Sequence, residues 1–281
     1  MAVLPARRVA FDDCTYALYR AAADLEPQDA TPTMGAAKIV KTADEIELIR
    51  AAERINEEAM LDVEPLVVPG MRATELSGRF LRRVYELGAT ANTVDPIFQT
   101  MPASIDAGPF SLTGDLVFPT VTRDRRLERG EVIWVDTGIN FHGYASDFGR
   151  TWVVGDEPNA RQREQFSAWR DVIQRVADAI RPGASAADLV RAAGEVYGRR
   201  PWPSHLYLGH GIGTDSAEMP LVGTDLGPDF DASLTLAPGM IVVLEPIAWE
   251  DGHGGYRAEE IIVVTDGGSE FLTSHHYWPF A

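Results

Sequence analysis

The sequence predicts an α+β fold made of two related halves, in which two helices precede a β-hairpin twice in the same order. In each half a carboxylate follows a glycine by six residues, and a second carboxylate follows a tyrosine by three residues. The matching residues are Gly130, Asp136, Tyr144 and Asp147 in the first half and Gly239, Glu245, Tyr256 and Glu259 in the second. Isolated turn acids have no reason to match across two segments. The match therefore predicts an internal pseudo-two-fold duplication whose acids meet near the axis.

The two helices of the first half are predicted from apolar residues at helical spacing. Over 42–61 they recur in steps of three and four from Ile46 to Ala59, the period of one helix face. A second helix is predicted over 74–87, because Gly88 can end it.

The remainder of the first half contains an irregular stretch and a hairpin. Residues 92–125 include four prolines and are predicted to be irregular. The first hairpin is predicted over 131–154, where nearly continuous apolar runs with β-branched residues favour strands buried on both faces.

The second half repeats this order. A helix is predicted over 158–180, and Ser185 with Asp188 favours a capped start to the next one. The second hairpin is predicted over 240–264. Residues 1–40 are too few to form a core of their own.

Composition disfavours several classes of partner. The net charge is −17, whereas a nucleic-acid-binding protein needs a basic face, and anionic membranes repel an acidic surface. No stretch approaches roughly 18 apolar residues, so no membrane span is predicted. The single Cys14 excludes an internal disulfide. Together with the lack of an apolar leader at the start, it favours a cytoplasmic location.

One histidine flanked by glycines, in Gly209-His210-Gly211, lies between the two hairpins. With the paired acids it completes a set of candidate ligands: Asp136, Asp147, His210, Glu245 and Glu259. Carboxylates with one imidazole suit hard or borderline divalent cations rather than a soft thiolate site. The sequence therefore predicts a metallohydrolase.

These motifs, in this order, resemble those of the methionine aminopeptidase/prolidase/creatinase family. The matching segments are 41–46, 135–138, 146–151, 209–213, 244–246 and 257–260. The resemblance implies a pita-bread catalytic domain over 41–281. It also implies that 1–40 is a remnant of the N-terminal domain that prolidases and creatinases carry.

The resemblance implies a centre with two divalent metal ions. Asp136 would hold one ion, and His210 with Glu245 would hold the other. Asp147 and Glu259 would bridge them. The ligand types are compatible with Mn, Co, Fe or Zn. Glu245 would also act as a general base toward a shared water.

Further expectations follow from the resemblance. Activity like that of a prolidase or Xaa-Pro aminopeptidase is expected, on a small peptide or another small molecule, in a homodimer. Arg257 would orient a ligand carboxylate or bind an anionic substrate group. A purely structural ion pair is the competing interpretation for Arg257.

Two positions depart from the family pattern. Family peptidases typically carry a second histidine seven residues after the ligand histidine, where this chain has Ala217. They also carry a histidine before the first aspartate, and this chain has none before His142. His205 is a candidate substitute, with an ordinary core or loop role as the alternative.

The departures leave three functions open. The first is a dinuclear metallopeptidase. The second is a metal-dependent enzyme of the same fold that acts on a small non-peptide substrate, by C–N hydrolysis or elimination. The third is a non-catalytic binding protein, which the retained ligands disfavour.

Overall fold

The computed structural model describes residues 8–104, 111–113, 116–118, 122, 124–197 and 208–281. Its helices are α1 (Tyr16–Ala21), α2 (Thr31–Lys38), α3 (Ala43–Val63), α4 (Ala73–Glu86), α5 (Ala160–Ala179), α6 (Ala186–Tyr197) and α7 (Pro228–Ser233). The first strands are β1 (Ala10–Phe11), β2 (Gln28–Asp29), β3 (Ala91–Thr100), β4 (Ser111–Thr113), β5 (Leu116–Phe118), β6 (Val132–Phe141), β7 (Tyr144–Ala145) and β8 (Phe148–Val153). The later strands are β9 (Gly209–Gly211), β10 (Glu218–Val222), β11 (Ile241–Leu244), β12 (Ile247–Glu250), β13 (Gly254–Arg257), β14 (Glu260–Thr265) and β15 (Gly268–Phe271).

The first half is an antiparallel sheet covered by two helices. Strands β3 and β8 both pair with β6, and β7 pairs with the far end of β6. Helix α3 contacts β6, and α4 contacts β3. The core between helices and sheet includes Phe80, Phe98 and Trp152, all fully buried.

The second half has its own sheet and core. The strands run in the order β10-β9-β11-β14-β15, and β12 with β13 forms a separate hairpin. Helices α5 and α6 pack together, and α5 contacts the β12–β13 hairpin. The core includes Trp169, Leu244 and Ile262. The predicted order of two helices and a hairpin, repeated once, is confirmed.

The two halves join at β8. The Glu259 N–H donates to the Gly149 carbonyl at 3.0 Å. The Thr151 hydroxyl accepts from the Arg257 N–H at 3.1 Å and donates to the Arg257 carbonyl. The end of the second hairpin is therefore fastened directly to the first hairpin.

The predicted helices are confirmed, and so is the predicted cap at Ser185; the cap at Thr42 is an additional finding. Thr42 and Glu45 form a reciprocal capping box at the start of α3, with distances of 2.7 and 3.3 Å. Ser185 and Asp188 do the same before α6, at 2.9 and 3.2 Å. Such caps satisfy N–H groups that have no partner inside the helix. Within the described ranges, no helix combines the length and apolarity that crossing a membrane requires.

The prediction that 92–125 is irregular is wrong for its first part, which forms β3, and for 111–113 and 116–118, which form the β4–β5 pair. Strand β3 continues through Pro96 and pairs with β6, with register shifts between Asn92 and Val94 and between Val94 and Ile97. Proline cannot donate to a ladder, but a bulge removes the need for its missing N–H. The prolines in the sequence therefore led to strand β3 being missed.

The N-terminal segment packs onto the second half. Strands β1 and β2 pair in parallel, and α2 contacts β10. The Lys38 ammonium lies 2.7 Å from an Asp215 carboxylate oxygen. Buried Lys41 forms an ion pair with Glu218 at 2.6 Å. That 1–40 is a remnant of a larger domain stays a prediction.

Candidate metal centre

The five predicted ligands come from both hairpins and from β9. Asp136 lies in the middle of β6, and Asp147 directly precedes β8. His210 is the central residue of β9. Glu245 follows β11, and Glu259 precedes β14. All five side chains are wholly or largely buried.

The structure brings all five side chains together. One carboxylate oxygen from each of Asp136, Asp147 and Glu259 lies within 4.8 Å of the other two. His210 Nε2 lies 3.3 Å from Asp147 Oδ2 and 3.2 Å from Glu245 Oε1. The predicted residues therefore form one continuous cluster.

The orientation of His210 suits a ligand. Its Nδ1 lies 2.8 Å from the Gly211 carbonyl, which can only accept, so Nδ1 carries the proton and Nε2 faces the acids. A Cβ atom at Gly209 would collide with the backbone oxygen of Val243 in β11. The Gly-His-Gly motif thus reflects close strand packing around the imidazole.

Arg257 is the counter-charge of the cluster. Its Nη1 lies 3.3 Å from Asp136 Oδ2 and 2.7 Å from Glu259 Oε1, and its Nη2 bonds to Glu245 Oε2. The guanidinium carbon lies 4.0 Å from the centre of the Trp134 ring, in cation–π geometry. The side chain is only 2% exposed. The geometry shows ion pairs with three acids rather than an open substrate contact.

Burial and mutual proximity shift the pKa values of the acids in this cluster. Burial, opposed by Arg257 and reinforced by Asp147, raises the pKa of Asp136 to about 7. Burial raises the pKa of Glu259 well above its usual range. Burial also opposes ionisation of Glu245, but Arg257 and His210 outweigh it and lower the pKa of Glu245.

The cluster fits divalent cations. Glu259 Oε2 is buried and has no hydrogen-bond partner among the described residues. When all four acids are ionised, as metal ligands must be, their negative charge exceeds the positive charge of the one guanidinium and the one imidazole. Buried charges are paired or coordinate metals. Cations would supply the missing partners.

Helix α3 braces the acids of the first half through polar contacts that were not predicted. Asn56 Nδ2 donates to the Thr137 carbonyl at 3.0 Å and to Ser146 Oγ at 2.9 Å, while Thr137 Oγ1 donates to Asn56 Oδ1. Glu53 Oε2 accepts from the Asp147 N–H at 3.3 Å. Asn56 therefore ties the residue after Asp136 to the residue before Asp147. The available signal was the polar set 53, 56 and 57 at helical spacing beside the apolar stripe.

Arg150 contacts the backbone of Glu259 and the side chain of the next residue, Glu260. Its Nη1 donates to the Glu259 carbonyl at 2.7 Å, and its Nη2 lies 3.3 Å from Glu260 Oε1. Its Nη2 also donates to the carbonyl of His275 at 3.0 Å. Burial lowers the pKa of His275 to about 4. Arg150 thus links the C-terminal tail to the backbone of Glu259.

A model of metallopeptidase family M24 matches residues 47–266. The chain belongs to metallopeptidase family M24. It is 31% identical over 241 residues to the Xaa-Pro dipeptidase of Pyrococcus furiosus, covering 84% of this chain and 63% of that protein. A second Xaa-Pro dipeptidase, from Pyrococcus horikoshii, is 30% identical over 241 residues, which cover 84% of this chain and 63% of that protein. The M24 chain thus spans less than two thirds of these relatives.

Solved structures confirm the pita-bread fold of this M24 chain. The prolidase of Pyrococcus furiosus matches with a TM-score of 0.79 and 25% identity, over 94% of this chain and 74% of that one. The prolidase of Pyrococcus horikoshii OT3 matches with a TM-score of 0.80 and 25% identity, over 94% and 73%.

The structure describes Ala217 but not the candidate substitute His205. Ala217 is exposed and lines a cavity of about 530 Å³, together with Lys38, Asp215 and Met219. His205, the predicted substitute, lies outside the described residues.

Proposed function

We propose that this chain is a dinuclear metal-dependent hydrolase of the prolidase or Xaa-Pro aminopeptidase kind, acting on small peptides. The observation that supports this most strongly is the convergence of five ligand-type side chains around Arg257 in one buried cluster. The names of the M24 relatives point to the same substrate class.

We assign the five residues as ligands in the roles that the family resemblance implies. Asp136 would hold one cation and His210 with Glu245 the other, while Asp147 and Glu259 would be shared. When bound, two such ions lower the pKa of a shared water and stabilise a developing oxyanion. Manganese, cobalt, iron and zinc all suit the ligand types, and a test series should include each.

The remaining side chains have roles of their own. Glu245, whose pKa is lowered, is ionised at neutral pH and can accept a proton. Arg257 would hold Glu245 and Glu259 in place and offset their repulsion before metal enters. Asn56 would keep the two aspartates of the first half at a fixed separation.

Ala217 favours a second candidate, a non-peptidase M24 enzyme acting on a small molecule. Losing an imidazole that contacts the transition state costs about 100-fold in rate. Under the peptidase proposal, Ala217→His should raise proline release. Under the alternative it should not raise the natural activity.

The direct test is release of proline from a series of X-Pro dipeptides by the purified chain with added Mn²⁺, Co²⁺, Fe²⁺ or Zn²⁺. Turnover should require metal and be absent from Asp147→Ala. The matched control is Asp156→Ala, an exposed acid outside the cluster, which should keep full activity.

Metal binding without turnover on any dipeptide would reject the peptidase proposal and leave the non-peptidase enzyme. The homodimer and the cytoplasmic location remain predictions, and light scattering of the purified chain would test the dimer.

A further inference from the structure

The C-terminal tail brings two consecutive histidines against the end of α3. One ligand atom from each of Glu64, His275 and His276 lies within 4.8 Å of the other two. His276 Nε2 is 3.0 Å from Glu64 Oε2. Glu64 directly follows α3 and is only 11% exposed in its side chain. None of these residues belongs to the cluster around Arg257.

His275 repeats the arrangement seen at His210. Its Nδ1 lies 2.9 Å from the carbonyl of the next residue, as the Nδ1 of His210 does at 2.8 Å. A carbonyl can only accept, so Nδ1 carries the proton and Nε2 keeps its lone pair. His275 Nε2 is buried without a hydrogen-bond partner among the described residues, and the residue is 7% exposed. Leaving a buried acceptor unpaired is destabilising, and a bound cation would supply the missing partner.

The backbone that presents the two imidazoles is already held in place. Glu57 accepts from the N–H groups of Ser274 and His275 at 2.6 and 2.8 Å. Arg150 donates to the carbonyls of His275 and His276 at 3.0 and 3.3 Å. Little ordering is therefore left for a ligand to impose, which favours binding.

Charge and access are compatible with a cation. The positive charge of Arg150 is offset by Glu260 at 3.3 Å. A cavity of about 430 Å³ lies beside Glu64 and is also lined by Asp156, Glu157 and Trp278. Three protein ligands would leave coordination positions for water from this cavity.

We propose that Glu64, His275 and His276 form a separate metal site that takes a divalent cation of the zinc class. Two imidazoles and one carboxylate favour Zn²⁺, Co²⁺ or Ni²⁺ over Mg²⁺ or Ca²⁺, which prefer oxygen ligands. A cation there would fasten the C-terminal tail to α3.

The test is a count of zinc per chain by mass spectrometry, after loading with Zn²⁺ and removal of loosely bound metal. Wild type should hold one zinc more than His276→Gln, and the zinc affinity at this site should fall at least 100-fold in Glu64→Gln. Because this is a difference of one ion, it is measurable whether or not the carboxylate cluster holds metal.

Glu157→Gln is the matched control, because Glu157 lines the same cavity and its side chain is 78% exposed. It should bind as much zinc as wild type. Anomalous diffraction at the zinc edge from wild-type crystals avoids variants altogether and should show a peak between the three side chains. Equal zinc counts in wild type and His276→Gln, or no such peak, would overturn the proposal.

Discussion

The two hairpins match in sequence but differ in how they present their acids. In the first, β6 is one continuous strand and Asp136 lies within its ladder, opposite Gly149. In the second, the ladder stops after Leu244 and resumes at Ile247, so Glu245 lies in the gap with Pro246. Proline cannot donate a ladder hydrogen bond, which accounts for the break.

The supports of the two pairs of acids also differ. The segments bearing Asp136 and Asp147 are held by neutral hydrogen bonds from Asn56. Glu245 and Glu259 are held by the charge of Arg257. The two halves therefore carry equivalent acids that are fixed by different means. Arg257 also reaches Asp136, at 3.3 Å, so both pairs should be affected by loss of this charge, and the second pair more than the first.

Removing the charge should have the largest effect. Arg257→Met leaves three buried acids without their cation, and breaking such pairs costs about 3–5 kcal/mol. Urea unfolding of the metal-free protein should show this loss, and Mn²⁺ should restore much of it.

The control for that experiment is Arg175→Met. Arg175 pairs with Glu195, and both side chains are exposed, at 47% and 55%; such surface pairs contribute about 0–1 kcal/mol. Equal losses for the two arginines would show that Arg257 does not stabilise the centre in this way.

Removing the neutral hydrogen bonds of Asn56 should have an intermediate effect on stability. Asn56→Leu keeps the approximate shape but removes the acceptor of the buried Thr137 hydroxyl, which costs about 1–3 kcal/mol. Mn²⁺ affinity measured by calorimetry should also fall, because the two aspartates lose their fixed separation. Gln174→Leu, which removes a hydrogen bond on an exposed helix face, should change neither quantity.

A change where the two halves meet should weaken both metal binding and folding stability. A Cβ atom at Gly149 would lie 2.6–2.8 Å from side-chain atoms of Glu259. Gly149→Ala should displace that carboxylate and weaken Mn²⁺ binding about 10–100-fold. Because Glu259 is buried and paired with Arg257, the overpacking should also lower the free energy of unfolding, by about 1–3 kcal/mol. Gly78→Ala, where the added atom meets nothing within 4 Å, should leave Mn²⁺ affinity unchanged.

Acidification should have the most gradual effect. The folded-state pKa of Asp136 is raised by burial to about 7, so in the metal-free protein this acid gains a proton as the pH falls through that value. A cation must displace that proton. Mn²⁺ affinity should therefore weaken below pH 7, by about tenfold per unit for each proton displaced. A flat profile between pH 8 and 6 would contradict the protonation of Asp136.

The elements that could be predicted from the sequence are those specified by residues close together in the chain. The apolar period predicted α3, and the Ser185–Asp188 spacing predicted the start of α6. The spacing of acids after Gly130 and Gly239 predicted which side chains converge, because a duplicated hairpin repeats its register.

What sequence reasoning missed depends on distant partners. Strand β3 was missed because bulges that accommodate Pro96 exist only in the paired sheet. The role of Asn56 was missed because its partners lie 81 and 90 residues away. His275 and His276 gained significance only when the tail packed beside Glu64.

The central claim is that both hairpins contribute ligands to one metal centre. The most direct measurement is the manganese content of the purified chain after equilibration with Mn²⁺, compared with Asp147→Ala from the first half and Glu259→Ala from the second. A shared centre predicts roughly two ions per chain in wild type and loss of both in either variant. No bound manganese in wild type, or full binding in either variant, would contradict it.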